Sequence, residues 1–308
     1  MRVLLFPGQG AQKVGMAADL AEAFPAARET LQAIDEALGF RLSALMAHGP
    51  EEDLQLTNNT QPAILAHSAA VLAVVGDGFG PVAAAAGHSL GEYSAYVAAG
   101  ALTAADAARL VRRRGELMLE AGQARPGAMA AVLGLGTAEV EAACVGASSG
   151  TDGVAVAANQ NAPDQTVISG DPAAVSRAGE LCKAAGAKRV LPLKVSGAFH
   201  SPLMEPAVAG LRDALAAAPF REPRFPVIAN AGGVPVQTAP QAVGLLVEQL
   251  TAPVRWVDCV RQALNLAPDA TFAEIGPGTV LGGLLKRIAP EATCISLGTA
   301  ADLERFLG

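Results

Sequence analysis

Residues 82–100 read VAAAAGHSLGEYSAYVAAG, five apolar residues, then the pentad Gly87-His88-Ser89-Leu90-Gly91, then small residues that suit a helix. Few local patterns restrict a fold more. If the apolar run is a strand, the chain must leave it, turn and enter a helix within four residues, and only glycine at both 87 and 91 allows so tight a turn. The alanines alone would suit a helix, but the shortness of the run and its flanking Gly-Pro and Gly-His favour a strand. Ser89 then projects from the elbow, and the helix behind it points free N–H groups at whatever the serine attacks. An ordinary turn capping a helix would share the pentad. The strand before and the helix after favour a nucleophile.

The rest of the chain supplies a frame for such an elbow. Residues 3–6 form a short apolar strand closed by Pro7-Gly8-Gln9-Gly10, and helical spacing follows in 16–38 and 62–75. Thr103-x-x-Asp106 resembles a capping box opening a helix to about Ala121. Near Pro126-Gly127 the rhythm changes. Residues 128–133, 154–158, 165–169 and 189–195 read as strands, with 159–164 as a connecting loop. Thr137 caps a helix to about Val145, and Asp171-Pro172 opens another, with aspartate as N-cap and proline in the first position. That order, β-α-β-β-α-β, is the ferredoxin-like split unit. Helix and strand then alternate through 203–217, 225–229, 239–250, 271–275, 280–288 and 293–297, the pattern of a largely parallel sheet covered on both faces. The expected architecture is α/β: a discontinuous large domain of residues 1–125 plus 197–308, with a small domain inserted at 126–196.

Composition narrows the class. With 51% hydrophobic and 17% charged residues the chain reads as compact and globular. A net charge of -7 argues against nucleic-acid binding as the main task. The longest apolar stretch, 62–76, contains His67 and falls short of the ~20 residues a bilayer span requires. Only residues 3–6 are apolar near the start, so no signal-peptide core is expected and the protein is placed in the cytoplasm, off the membrane. Cys144, Cys182, Cys259 and Cys294 lie far apart in apolar patterns and read as free buried thiols. With the four histidines scattered as well, no metal site is expected.

A serine hydroxyl needs a base. His88 adjoins Ser89 in the elbow, where neighbouring side chains diverge; His67 falls inside a helix; His48 reads as a surface loop residue beside Gly49-Pro50. His200, in Ser196-Gly197-Ala198-Phe199-His200-Ser201-Pro202, follows a strand and is the favoured base. No acid presents itself to orient it: Asp171 is explained as a cap, Asp164 as a turn residue, Glu116 and Glu120 as polar helix face. Either that acid is hidden from sequence reading or a neutral acceptor takes its place. Arg114 lies on the apolar stripe Ala107, Leu110, Leu117, Ala121, whereas Arg112 and Arg113 fall towards Glu116 and Glu120. An inward guanidinium should face a carboxylate. That carboxylate is either structural or, if Arg114 lines the cleft, the substrate's own. A backbone N–H of Gly8-Gln9-Gly10 is a candidate oxyanion donor. Gly276-Pro277-Gly278 lacks the residues of a phosphate loop and reads as a structural turn.

Taken together, Phe6-Pro7-Gly8-Gln9-Gly10, Gly87-His88-Ser89-Leu90-Gly91-Glu92, Arg114-Gly115, Phe199-His200-Ser201 and Gln249-Leu250 resemble the malonyl-CoA:acyl carrier protein transacylases. Asn159-x-Asn161-x-Pro163-x-Gln165 and Glu274-x-Gly276-Pro277-Gly278 fit the same pattern, in the same order, over almost the whole chain. The resemblance implies an α/β-hydrolase-like core with a ferredoxin-like insertion. It implies that Ser89 carries malonyl from CoA to the phosphopantetheine thiol of a carrier protein, with His200 as base and acid and Arg114 on the malonyl carboxylate. The N–H groups of Gln9 and Leu90 would form the oxyanion hole, and the Gln249 carbonyl would orient His200. Phe199 matches malonyl-selective members. No cofactor is implied, since malonyl-CoA is a substrate, and a monomer is expected. For an acidic carrier, Lys188, Arg189 and Lys194, or Lys286 and Arg287, offer basic surface, although solvated charge explains each equally well.

Other classes share parts of this pattern. A stand-alone acyltransferase feeding a polyketide synthase would keep every motif. A serine esterase or thioesterase would share Ser89 and His200 but have no use for an inward Arg114. A non-catalytic carrier-binding protein would not need the elbow glycines, Ser89 and His200 together.

Overall fold

The computed structural model describes residues 1–149 and 153–308. Its strands are β1 (Arg2–Phe6), β2 (Val82–Gly87), β3 (Ala128–Leu133), β4 (Ala155–Ala162), β5 (Gln165–Gly170), β6 (Arg189–Pro192), β7 (Val227–Ile228), β8 (Pro235–Val236), β9 (Thr271–Ile275) and β10 (Cys294–Leu297). They form two sheets, ordered β10-β9-β1-β2-β7-β8 and β4-β5-β3-β6.

In the first sheet β1 pairs in parallel with β2 and β9, β9 with β10, and β2 with β7. Successive side chains of β1 serve opposite faces, as a pleated strand requires. Leu4 and Phe6 join one core and Val3 and Leu5 the other. At the far edge the expected strand over 225–229 shrinks to two residues, and β8 returns antiparallel to it. Pro226, which has no N–H for the ladder, limits β7 on one side. Gly232 and Gly233, both at positive φ, turn the chain on the other.

The helix expected over 16–38 is two helices, Ala18–Ala23 and Pro25–Leu38. Phe24 is extended because the proline after it excludes the helical conformation. The next long helix, Thr57–Val75, begins five residues before the sequence expectation and packs against Pro25–Leu38 and Ala104–Ala124. With the turn after it, Thr57–Phe79 is long and apolar enough to meet the length and composition of a membrane span, but 67% of its apolar window is buried in the protein. It is a core helix. Thr103 caps Ala104–Ala124 by accepting the Asp106 N–H at 3.1 Å, a contact worth about 1 kcal/mol.

The second sheet is antiparallel throughout and has the ferredoxin-like order. The helices Thr137–Ser149 and Pro172–Ala184 cover one face, burying Val132 and Ile168 with Val140, Cys144, Val175 and Cys182. Residues 159–162, expected as loop, instead extend β4 with two register shifts. Besides β5 they bridge to Val254: the Gln160 N–H donates to the Val254 carbonyl at 2.9 Å, and the Val254 N–H to the Ala158 carbonyl at 2.8 Å. β6 stops at Pro192, three residues early. Asp171 occupies the N-cap position, but its carboxylate accepts from the Val154 N–H at 2.8 Å and from Arg125 rather than from the helix. Sequence reading passed over the helices Leu42–His48, Trp256–Leu266 and Ala300–Leu307. All four cysteines are free, three buried and Cys294 half-buried.

Candidate active site

The elbow forms where β2 ends. A Cβ on Gly87 would lie 1.9 Å from the Gly91 carbonyl carbon, and one on Gly91 would lie 2.2 Å from the Phe6 carbonyl oxygen, so both positions exclude a side chain. Ser89 between them is half-buried and has φ 51°, a strained left-handed conformation. Asn230, directly after β7, braces the turn. Its Oδ1 accepts the Ser89 N–H at 2.7 Å, and its Nδ2 donates to the Gly87 carbonyl at 2.7 Å. The pairing of Phe6 with Gly87 brings the Gly8-Gln9 loop alongside. The group thus sits at the carboxyl ends of parallel strands, where open α/β sheets place their sites.

The Ser89 hydroxyl lies 2.8 Å from Nε2 of His200, whose Nδ1 lies 2.9 Å from the Gln249 carbonyl. A carbonyl only accepts, so Nδ1 carries the proton and the Nε2 lone pair faces the hydroxyl. No carboxylate contacts the ring among the described residues; the neutral acceptor stands where an acid was sought. Burial, and then the Arg114 charge, lower the His200 pKa to about 3, which keeps the imidazole neutral and able to accept a proton. The other histidines are engaged elsewhere. His88 Nε2 meets Asn161 Oδ1 at 2.8 Å, and His67 Nε2 meets the Gly298 carbonyl at 2.9 Å. His48 ends the helix Leu42–His48 instead of standing in a loop.

Arg114 is 1% exposed. Its Nη1 donates to Gln61 Oε1 at 2.7 Å, and its Nη2 to Gln249 Oε1 at 2.9 Å and Ser89 Oγ at 3.1 Å. Arg112 and Arg113 pair at the surface with Glu116 and Glu120, contacts worth ~0–1 kcal/mol. Of the two carboxylates the sequence left open for Arg114, the protein's own or the substrate's, the protein supplies none in contact with it. Among the described residues none pairs with it, and amide oxygens hold it instead. Two carbonyl dipoles satisfy donors without cancelling a charge, so the buried guanidinium remains a site for an anion.

These groups line one cavity of about 260 Å³. Ser89, Arg114 and His200 form one wall, with Met118 and Phe199 beside them. Met129, Ala131 and Val167, on the face of the small sheet opposite its helices, close the other. Gln9 and Leu90 also border it, and neither backbone N–H has an acceptor among the described residues. A cavity of about 190 Å³ adjoins it past Gln9, His88, Asn161 and Gln165. A larger one, about 680 Å³, lies elsewhere between Leu72, Phe79, Val82 and Arg224 and holds none of the chemistry.

The acyl transferase domain family matches residues 3–300 of the chain. The malonyl CoA-acyl carrier protein transacylase of Escherichia coli K12 is 46% identical to it, over 98% of this chain and 97% of the relative. The chain belongs to the malonyl-CoA:acyl carrier protein transacylase family. The Bacillus subtilis transacylase is 43% identical over 97% of this chain and 94% of its own. An acyl carrier protein S-malonyltransferase from Vibrio cholerae superposes with a TM-score of 0.94 at 44% identity, covering 99% of both chains. A malonyl-transacylase solved with a type II PKS acyl-carrier protein gives 0.93 at 43% identity, covering 99% of this chain and 98% of that one.

Within this transacylase-family site, three residues escaped sequence reading. Gln61 was hidden at the edge of an apolar run, and Asn230 lay just past the expected strand 225–229 with no motif to mark it. Glu92 was quoted in the motif but given no part, although an acid among the small residues of Gly91–Ala98 was a visible signal. It is fully buried; its Oε2 accepts from the Asn230 N–H at 2.9 Å and from Gln249 Nε2 at 2.8 Å, and burial raises its pKa to about 7. The N-terminus of the helix Val280–Ile288, which follows the Gly276-Pro277-Gly278 turn, is taken up by Glu274, which accepts the N–H groups of Leu281 and Gly282 at 2.9 and 2.7 Å. Lys188, Arg189 and Lys194 are exposed along and beside β6. Arg287 is tied to Asp164 and Gln165, with Lys286 exposed next to it.

Proposed function

We propose that this chain moves the malonyl group of malonyl-CoA, through an ester on Ser89, to the phosphopantetheine thiol of an acyl carrier protein, as an S-malonyltransferase of fatty-acid synthesis in the cytoplasm. The observation that carries this reading is the buried Arg114 guanidinium, paired with no acid among the described residues and 3.1 Å from the hydroxyl that His200 contacts. An esterase for uncharged acyl chains gains nothing from a cation there. An acyl group that ends in a carboxylate does.

The geometry gives each residue a task. His200 Nε2 takes the Ser89 proton as Oγ attacks the thioester carbonyl. Oxygen becomes an oxyanion, held by the N–H groups of Gln9 and Leu90 at the start of the Gly91–Ala98 helix. The imidazolium keeps its Nδ1 proton on the Gln249 carbonyl and returns the Nε2 proton to the departing CoA sulfur. The carrier thiol then repeats the sequence in reverse: His200 removes its proton, sulfur attacks the seryl ester, and Ser89 recovers its hydrogen. Arg114 binds the malonyl carboxylate bidentately throughout. No metal or cofactor enters the scheme.

Residues 1–125 with 197–308 serve as the catalytic domain and 126–196 as an insertion that roofs the acyl cavity, in a monomer. Lys188, Arg189, Lys194, Lys286 and Arg287 offer the carrier basic surface on either side of the cavity, Arg287 by exchanging Asp164 for a carrier acid. The test is transfer itself, with malonyl-CoA and a phosphopantetheine-bearing carrier protein, followed by the mass of the carrier. The wild-type protein loads the carrier and Ser89→Ala, folded as judged by thermal unfolding, does not. Loading by Ser89→Ala at the wild-type rate would overturn the proposal.

A further inference from the structure

Gln249 contacts Ser89, His200, Arg114 and Glu92 at once. Its backbone carbonyl accepts from His200. Its side-chain oxygen accepts from Arg114, and its side-chain nitrogen donates to the Ser89 carbonyl at 3.0 Å and to Glu92 Oε2 at 2.8 Å. An amide has two ends of opposite character, and turning it over would present N–H donors to a guanidinium that has only donors itself. Something must hold it the right way round. Glu92 is that partner by position: it is buried, three residues past the nucleophile on the first turn of the same helix, and its oxygen also receives the Asn230 N–H.

We infer that Glu92 is a positioning residue for malonyl selectivity: by accepting the Gln249 side-chain N–H it fixes that amide with oxygen towards Arg114, so the guanidinium stays aimed into the acyl cavity. The inference rests on the carboxylate-binding role of Arg114. Glu92 touches neither Ser89 Oγ nor the imidazole and meets the elbow only through the Asn230 N–H, so its loss falls first on the carboxylate end of the substrate. An anion that only filled a hole behind the elbow would instead affect every acyl group alike.

The experiment compares malonyl and acetyl transfer from their CoA thioesters to the carrier. Glu92→Leu lowers the malonyl-to-acetyl ratio of kcat/KM about tenfold, the worth of one hydrogen bond to a charged group. Glu92→Gln, whose side-chain oxygen still accepts from Gln249 and Asn230, retains the ratio within about threefold. With Arg114→Ala as background, Glu92→Leu changes the ratio no further, because the link it cuts is already gone. Gln249→Leu keeps the carbonyl under His200 and removes the amide, so it lowers the ratio as Glu92→Leu does, and it decides the matter if Glu92→Leu fails to fold. An equal fall for both thioesters, an undiminished effect in the Arg114→Ala background, or a Gln249→Leu ratio like the wild type overturns the inference. Loss of transfer with Arg114→Ala but no change of ratio would instead strike at the carboxylate-binding role itself.

Discussion

Nη2 of Arg114 lies 3.1 Å from Oγ of Ser89, so the anion site and the nucleophile are adjacent. An acyl group esterified to Ser89 can place a carboxylate on that guanidinium when one methylene separates the two carbonyl carbons. Longer dicarboxylic chains must fold back or push the arginine away from Gln61 and Gln249. Malonyl-CoA is therefore expected to acylate the protein at least tenfold faster than succinyl-CoA, a modest margin for one added methylene. Equal rates in a stopped acylation assay would show that the spacing does not select.

Removing the guanidinium should cost the charged substrate most. Arg114→Ala is expected to lower kcat/KM for malonyl transfer by roughly 10²–10³-fold, the range for breaking a buried charged pair, and for acetyl transfer by less than tenfold. Parallel losses would mean that Arg114 holds the elbow together and does not read the acyl group.

Burial and that same charge together set the pH profile. Burial and the Arg114 cation depress the His200 pKa from 6.5 to about 3, so the base stays unprotonated in mild acid. The kcat/KM for malonyl transfer should hold level from pH 7 down to pH ~5, where an ordinary histidine is already protonated. Removing the cation makes the imidazolium easier to form. In Arg114→Ala the acid limb of the residual acetyl transfer should thus move to higher pH. An unmoved limb, or a wild-type limb near 6.5, contradicts this electrostatic account.

Gly91 tests the elbow itself. An added methyl would lie 2.2 Å from the Phe6 carbonyl oxygen, a backbone atom that cannot swing aside. Gly91→Ala should destabilise the fold by about 1–3 kcal/mol or more and lower the Tm by several degrees. A Gly91→Ala protein with wild-type Tm and activity would remove the reason for glycine at this position.

Carrier docking is separable from chemistry. Replacing Lys188, Arg189 and Lys194 with glutamate should raise KM for an acidic carrier several-fold and weaken its salt dependence, while acylation by malonyl-CoA in the absence of carrier keeps its rate. An unchanged carrier KM would move the docking surface elsewhere.

How much of this was legible in the sequence depended on whether a residue's signal was local. The elbow and the inward Arg114 each declare themselves within a short stretch, through glycine placement or periodicity, and the β-α-β-β-α-β unit is a run of such local signals from 128 to 192. His200 emerged by eliminating three other histidines, and its Gln249 acceptor came only with the family resemblance, because a carbonyl has no sequence signature. Tertiary pairing hid the rest. Residues 159–162 became strand by pairing with β5 across two register shifts and by bridging to Val254, nearly a hundred residues away. Whether Arg114 faced an acid of the protein or of a substrate was left open by the sequence, and its partners Gln61 and Gln249 were not foreseen, since side-chain amides do not advertise which charge they will serve.

The central claim is that Ser89 accepts malonyl and gives it to a thiol in preference to water. Intact mass after mixing the protein with malonyl-CoA, followed over time with carrier protein or with buffer alone, tests this directly. The account predicts one malonyl adduct, located on Ser89 by peptide mapping, that disappears far faster when carrier is present and moves onto the carrier. An adduct lost equally fast in buffer would make the protein a hydrolase, and no adduct at all would contradict the seryl-ester mechanism outright.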